Sequence, residues 1–299
     1  MGKKMDKIYE ISCEEIKKLT VSLLLKANTE LSPGMKKLMK NAYNSEKMPL
    51  AKEILGDLIK NAELAAEKQL PMCQDCGLAV IIAEIGQDVH VIGGDITDTL
   101  NEAVREAYRD GAFRKSVDKD PLFNRENSGD NTPAVIHHNI IPGNSVKITV
   151  SPKGMGSENM SRLFMLKPAD GINGVLNAVV ETVEKANANP CPPIVLGIGI
   201  GGNFETVALA AKKALLLPEG ERNTDERYAE LEKEIIKRCN KLGIGAAGYG
   251  GTQTVLDARI IALPTHIAGL PVAVNVCCHA LRHAEGTITG KVAETVCHD

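Results

Sequence analysis

The chain predicts a mixed α/β (α+β) fold in which an N-terminal helical layer precedes an α/β core. Three observations predict it: apolar residues at helical spacing over residues 12–69, short β-branched runs from Leu78 onward, and amphipathic stretches between those runs. Of its 299 residues, 43% are hydrophobic, ample for a real core. With no internal repeat and no low-complexity linker, one unit over residues 1–299 is the economical organisation, mainly helical over 1–70 with the core over 71–290.

Each element has its own signal. Ser12 and Glu15 form a capping box, and Ile16, Leu19, Leu23 and Leu24 recur on one helical face behind it. Leu38, Met39, Leu55, Leu58 and Ile59 continue the pattern, broken by "LSPGM" and "EKMP". "LAVIIAEIG" from Leu78 and "SVKITVSPKG" from Ser145 suit strands. Asp98 to Phe113 reads as a helix between them, and "PLFNRENSGDNTP" as a loop by its Gly, Pro, Asn and Asp content. Helices are expected over 171–187, 203–216 and 224–242, and strands over 192–198, 254–263 and 271–277.

Composition narrows the function. Thirty-five Lys and Arg against 38 Asp and Glu leave a formal net charge of −3, so no single-sign field recruits nucleic acid or an anionic membrane surface. No run approaches a membrane span, and "MGKKMDKIYEIS" turns polar where a secretory signal would turn apolar, so a cytoplasmic location is expected. Eight cysteines are too sparse in a chain of this length for a disulfide scaffold; metal binding or thiol chemistry is expected instead. Cys13, Cys239 and Cys297 read as small buried hydrophobes.

Two glycine-rich stretches need weighing. Gly197, Gly199 and Gly202 satisfy G-x-G-x-x-G between a strand and a helix, the form of a dinucleotide site. The charged helical stretch that follows, where a second strand ending in an acidic residue belongs, argues against it and favours a turn for anion approach or close packing. "SPKGMGSENMS", from Ser151, follows a strand but lacks the Walker spacing, so it reads as a polar loop.

The cysteines leave alternatives open. Cys73 and Cys76 in "PMCQDCG" have redox spacing, yet a helix precedes them where a thioredoxin-like motif needs a strand. A zinc-binding interaction module needs a second close pair, which Cys277 and Cys278 cannot supply because neighbours on a strand face opposite ways. A distributed set of Cys73, Cys191 and one of Cys277 or Cys278 suits an iron–sulfur cluster with one iron left open, as one reading among several.

"CQDCG", "KGMGSEN", "CPPIVLGIGIGG" and "LPTHIAGLPVAVNVCCHALRH" occur in this order in one chain. Together the four resemble the α subunits of class I iron–sulfur fumarate hydratases and of the related L(+)-tartrate dehydratases, over about residues 10–290. The resemblance implies an α/β core around a 4Fe-4S cluster, with Cys73, Cys191 and Cys278 as ligands and the fourth iron open to substrate. It further implies that Gln74, Arg114 and Gly156 bind a small dicarboxylate and that Asp75 and His266 take catalytic roles. Arg125 and Lys153 are weaker candidates for anion binding, and His90, His137, His138, His279 and His283 are taken as structural. The implied reaction is reversible hydration of fumarate to L-malate, with L(+)-tartrate dehydration to oxaloacetate as the alternative. A separate β subunit, in an α2β2 assembly, is expected to supply the base. Where the family has Thr in its C-Q-D-T-G motif, this chain has Cys76, whose thiol could compete for iron or pair with Cys73.

Overall fold

The computed structural model describes residues 7–293 and resolves the chain into two compact units, each built from separated segments. The first takes the chain up to Glu30, Ala65–Lys153 and the stretch from Arg282; the second takes Leu31–Leu64 and Gly154–Leu281. Cys297 lies outside the described residues.

In chain order, β1 (Tyr9–Ser12) leads into α1 (Cys13–Thr29), α2 (Pro33–Ser45) and α3 (Pro49–Lys68). Then come β2 (Leu78–Gly86), β3 (Val89–Ile92), α4 (Ile96–Asp110), β4 (Val135–Ile141) and β5 (Ser145–Lys153). The short α5 (Met155–Glu158), β6 (Arg162–Leu166), α6 (Gly171–Ala186), β7 (Ile194–Gly202), α7 (Phe204–Ala214) and α8 (Glu226–Asn240) follow. The last strands are β8 (Val255–Thr265), β9 (Leu270–Cys277), β10 (Ala284–Thr289) and β11 (Lys291–Val292). The fold is mixed α/β, with residues 13–68 almost entirely helical. The helices of that stretch divide between the units, the boundary falling within α3 after Leu64.

In the first unit, a sheet of order β10-β5-β2-β4 packs against α1, and α1 packs against α4. Ser12 caps α1 as its sequence requires: its hydroxyl accepts the Glu15 N–H, while the Glu15 carboxylate accepts the Ser12 N–H at 3.0 Å. Ile16, Leu23 and Leu24 meet Ile81, Val104 and Ile148 in the core. Tyr108 and Phe113 pack edge to face with centroids 5.5 Å apart. A smaller sheet, β11-β1-β3, completes the unit.

In the second unit, the sheet order is β6-β9-β7-β8, with β7 parallel to β8 and antiparallel to β9. Ile194, Leu196, Ile198 and Ile200 face α6 and α8, where Cys239 is fully buried and its thiol is pushed up to about 12. The other face of β7 carries Gly197 and Gly199. A Cβ there would stand 2.1 Å from the Ala211 carbonyl oxygen and 2.2 Å from that of Val207, so α7 lies directly on the strand backbone. Both glycines pair within the sheet, with Arg259 and Ile261, so they form no phosphate-binding turn. The nucleotide pattern is a packing notch, and the nucleotide-binding alternative loses its only motif.

Among the described residues no helix is long and apolar enough to cross a membrane.

Candidate active site

Two cysteines lie at one end of the second unit's sheet. Cys191 lies in the turn that enters β7, and Cys278 follows the last residue of β9, where Cys277 stands opposite Val195. Because β7 and β9 are antiparallel, the start of one lies beside the finish of the other. His279 fixes the contact: its Nδ1 donates to the Cys191 carbonyl oxygen at 3.0 Å. Cys191 is exposed and holds a left-handed backbone (φ 53°), a conformation that costs a non-glycine residue about 1–2 kcal/mol. Cys278 is half-buried, whereas Cys277 is 4% exposed and belongs to the strand interior.

Gly156 joins this end of the sheet. A Cβ on it would lie 3.7 Å from the Asn189 carbonyl oxygen, two residues before Cys191, so the chain itself leaves room there. Glu158 of "KGMGSEN" and Ser161 just beyond it hold that segment in place. Glu158 pairs with Lys212 and accepts from Asn275 Nδ2 at 2.8 Å, while Ser161 Oγ accepts the Val276 N–H at 3.0 Å. These bonds tie the Gly156 turn to the end of β9 that leads to Cys278.

The Pro71–Gly77 loop belongs to the first unit. Cys73 is half-buried, Gln74 exposed and Asp75 half-buried, with Asp75 Oδ1 accepting the Gly77 N–H at 3.0 Å. Gly77 has φ +74°, and a Cβ on it would meet the Lys153 backbone at 2.6 Å, so only glycine fits. Three partners pin the loop: Tyr108 donates its hydroxyl to the Cys76 carbonyl (2.8 Å), Asn131 Nδ2 donates to the Gly77 carbonyl (3.2 Å), and Met72 N–H donates to the Asn28 carbonyl (3.0 Å).

Cys76 faces away from solvent, 1% exposed, and its sulfur accepts the Arg114 N–H at 3.2 Å. Burial pushes its thiol above the ordinary range. The same bond sets Arg114 beside the Cys73 loop, with its side chain exposed and in no ion pair among the described residues. Asn131, fully buried, also accepts the Ser116 N–H at 2.7 Å and so joins the two segments a second time.

Other candidates lie elsewhere. Arg125 is exposed and paired with Asp118 at 2.8 Å. Lys153 is 4% exposed and stands opposite Leu78, next to Gly77, as a buried cation at the Cys73 loop. His266 sits on the exposed loop after β8, beside Ile267, which is 91% exposed. That loop precedes β9, whereas Cys278 follows it. Eight residues of strand at about 3.3 Å each therefore put roughly 25 Å between them. Within one chain the structure does not bring His266 to the thiols.

Sequence reasoning missed the pinning residues Tyr108 and Asn131; His279, taken as structural, holds the Cys191 carbonyl. No local pattern around Tyr108 or Asn131 could have flagged them.

Thiols are the donors that an iron–sulfur group takes, although among the described residues no three or more His, Cys, Asp or Glu side chains are grouped to hold a metal ion. Cys191 and Cys278 are soft donors at a sheet end and outside the apolar core, with an unobstructed backbone at Gly156 beside them.

Comparison with known proteins gives the family. Residues 17–287 match the family described as fumarate hydratase (Fumerase). A protein of Methanocaldococcus jannaschii, provisionally named L(+)-tartrate dehydratase subunit alpha, is 40% identical over 275 residues, covering 90% of this chain and 96% of its own. The L(+)-tartrate dehydratase α subunits of Escherichia coli (strain K12) and Shigella sonnei are each 31% identical over 254 residues, covering 84% of this chain and 82% of their own. A match that runs through the Cys73 loop, the Gly156 turn and both thiols of the sheet end places the chain in the fumarate hydratase (Fumerase) family.

Proposed function

We propose that the chain is the α subunit of an iron–sulfur hydro-lyase that interconverts fumarate and L-malate, with Cys73, Cys191 and Cys278 as cluster ligands. One observation supports the reading: Cys191 and Cys278, far apart in sequence, lie at the same end of the β7–β9 pair in a chain of this family. A 4Fe-4S cluster held by three thiolates offers, when bound, one iron as a Lewis acid toward hydroxyl and carboxylate oxygens.

The chain's own residues do the rest. Arg114 clamps a substrate carboxylate with its exposed guanidinium, whose fork matches a planar carboxylate. Gln74 donates to substrate oxygen, and Gly156 lets its backbone approach without a side chain in the way. Asp75 is the acid–base group on the ligand loop, held by the Gly77 N–H; it hands a proton to the departing hydroxyl, which leaves as water. The base that takes the C3 proton comes from a separate β subunit. His266 serves as a proton donor only from a second copy of the chain, which an α2β2 assembly provides.

The names of the relatives favour a second reading, L(+)-tartrate to oxaloacetate. The two substrates differ by one hydroxyl, which a few polar groups around the site discriminate.

Anaerobic reconstitution with the β subunit tests both. Brown protein carrying iron and sulfide in equal amounts, and turnover of fumarate and L-malate, is expected. Turnover of L(+)-tartrate alone moves the assignment to the second reading; colourless protein with stoichiometric zinc overturns both.

A further inference from the structure

Arg282 carries a buried positive charge beside the Cys73 loop. It is 2% exposed; its carbonyl accepts the Ser151 hydroxyl at 3.1 Å, and its Nη1 donates to the neutral Asn28 side chain at 3.3 Å. Nε is buried with no hydrogen-bond partner. A guanidinium remains charged in proteins and offers five donors in a fixed fork. Burying one with a donor unmatched is costly unless an anion shares the site.

Its surroundings say where that anion belongs. Asn28, which receives Nη1, also accepts the Met72 N–H through its carbonyl, and Met72 adjoins Cys73. Asn28 Nδ2 donates to the Leu24 carbonyl at 3.0 Å, so the amide is anchored on α1 and fixes the guanidinium relative to the loop. The Arg282 charge reaches both the Cys76 thiol and the Tyr108 hydroxyl, opposing the effect of their burial. Tyr108 in turn holds the Cys76 and Gly77 carbonyls. The guanidinium is thus linked through Asn28 to one end of the loop that presents Cys73, and its charge is felt at the other, where Asp75 acts in the opposite sense.

We infer that Arg282 is a positioning residue that supplies the fixed counter-charge for the anionic, thiolate-bound group held at the Cys73 loop. The inference rests on the reading of Cys73 as a cluster ligand. Removing a neighbouring positive charge makes an anionic cluster harder to reduce and easier to lose.

The test uses the full chain, anaerobically reconstituted, as wild type, Arg282→Lys, Arg282→Gln and Asn28→Asp. Asn28→Asp keeps the guanidinium and cancels its charge, which separates electrostatics from packing; far-UV circular dichroism of each apo-protein checks the fold. Iron and sulfide per chain are followed under chelator challenge, and the midpoint potential is read by EPR-monitored titration. Expected are wild-type behaviour for Arg282→Lys, and severalfold faster iron loss with a more negative potential for Arg282→Gln and Asn28→Asp. Wild-type retention and potential in both charge-cancelling variants would overturn the inference while leaving the cluster assignment standing. A wild-type chain that takes up no iron and sulfide overturns the assignment itself, and the inference with it.

Discussion

The Cys76 sulfur accepts the main-chain N–H of Arg114 at 3.2 Å, so the second thiol of "CQDC" acts as a tether between two segments of the site. A threonine hydroxyl can accept the same N–H. Cys76→Thr is therefore expected to keep wild-type iron content and to lose less than about 1 kcal/mol of stability, whereas Cys76→Ala leaves the N–H unmatched at a cost of about 1–3 kcal/mol. Urea denaturation with iron analysis checks both; major iron loss in Cys76→Thr would make Cys76 the ligand.

Cys277 and Cys278 are adjacent, yet only one leaves the strand interior. Cys278→Ser is expected to abolish stable iron binding. Cys277→Ser is expected to retain it while lowering the unfolding midpoint, because a hydroxyl replaces a buried thiol. Iron and sulfide analysis after gel filtration distinguishes them, and the reverse pattern would exchange their roles.

With His266 roughly 25 Å of strand away from Cys278, its proposed role requires two chains. A His266→Ala chain and a Cys278→Ser chain, each inactive with the β subunit, are expected to regain activity on mixing. Randomly mixed pairs give roughly a quarter of wild-type turnover, the statistical share of complete sites in a two-fold assembly. No recovery after verified subunit exchange removes His266 from the reaction.

Asp130 links pH to the Cys73 loop through its neighbour Asn131. Burial alone would raise its carboxyl. The hydrogen bonds from Thr132 and Arg105 outweigh that and hold it at about 2, below its ordinary 3.8. A depressed folded value means the contribution is fully present above the unfolded value and fades as pH falls toward 2. The side chain is partly exposed, so solvent reduces the effect. Asp130→Asn is expected to lower the denaturation midpoint at pH 6 and to converge on wild type near pH 2; a constant difference across that range would show that the charge is not responsible.

The strands buried on both faces were plain in the sequence. β2 and β7 read as near-continuous apolar runs because most of their residues are buried, and β5 reads as a strand by its β-branched Val146, Ile148, Thr149 and Val150. β4, "VIHHNII", was hidden because it edges its sheet and its histidines break the pattern, and β6 and β10 are short edge strands of the same kind. Motif order pointed to the Cys73 loop as the proposed ligand loop, but spacing could not say which thiol of "CQDC" faces the core. Burial of Cys76 decides that. His279 and Arg282 gain their positions only when the chain turns after β9, so no local pattern announces them. The separation of His266 from Cys278 depends on strand direction, which a motif list does not contain.

The division of the chain into interleaved segments sets an order of completion during synthesis. The second unit contains Cys191 and Cys278 and closes with Leu281, whereas the first unit lacks β10, the partner of β5, until the residues beyond Arg282 have emerged. The Cys73 loop is thus made early, yet the unit that carries it is finished last. A nascent chain therefore holds both units complete, and with them each of the three proposed ligands in a finished fold, only after the ribosome has passed β10.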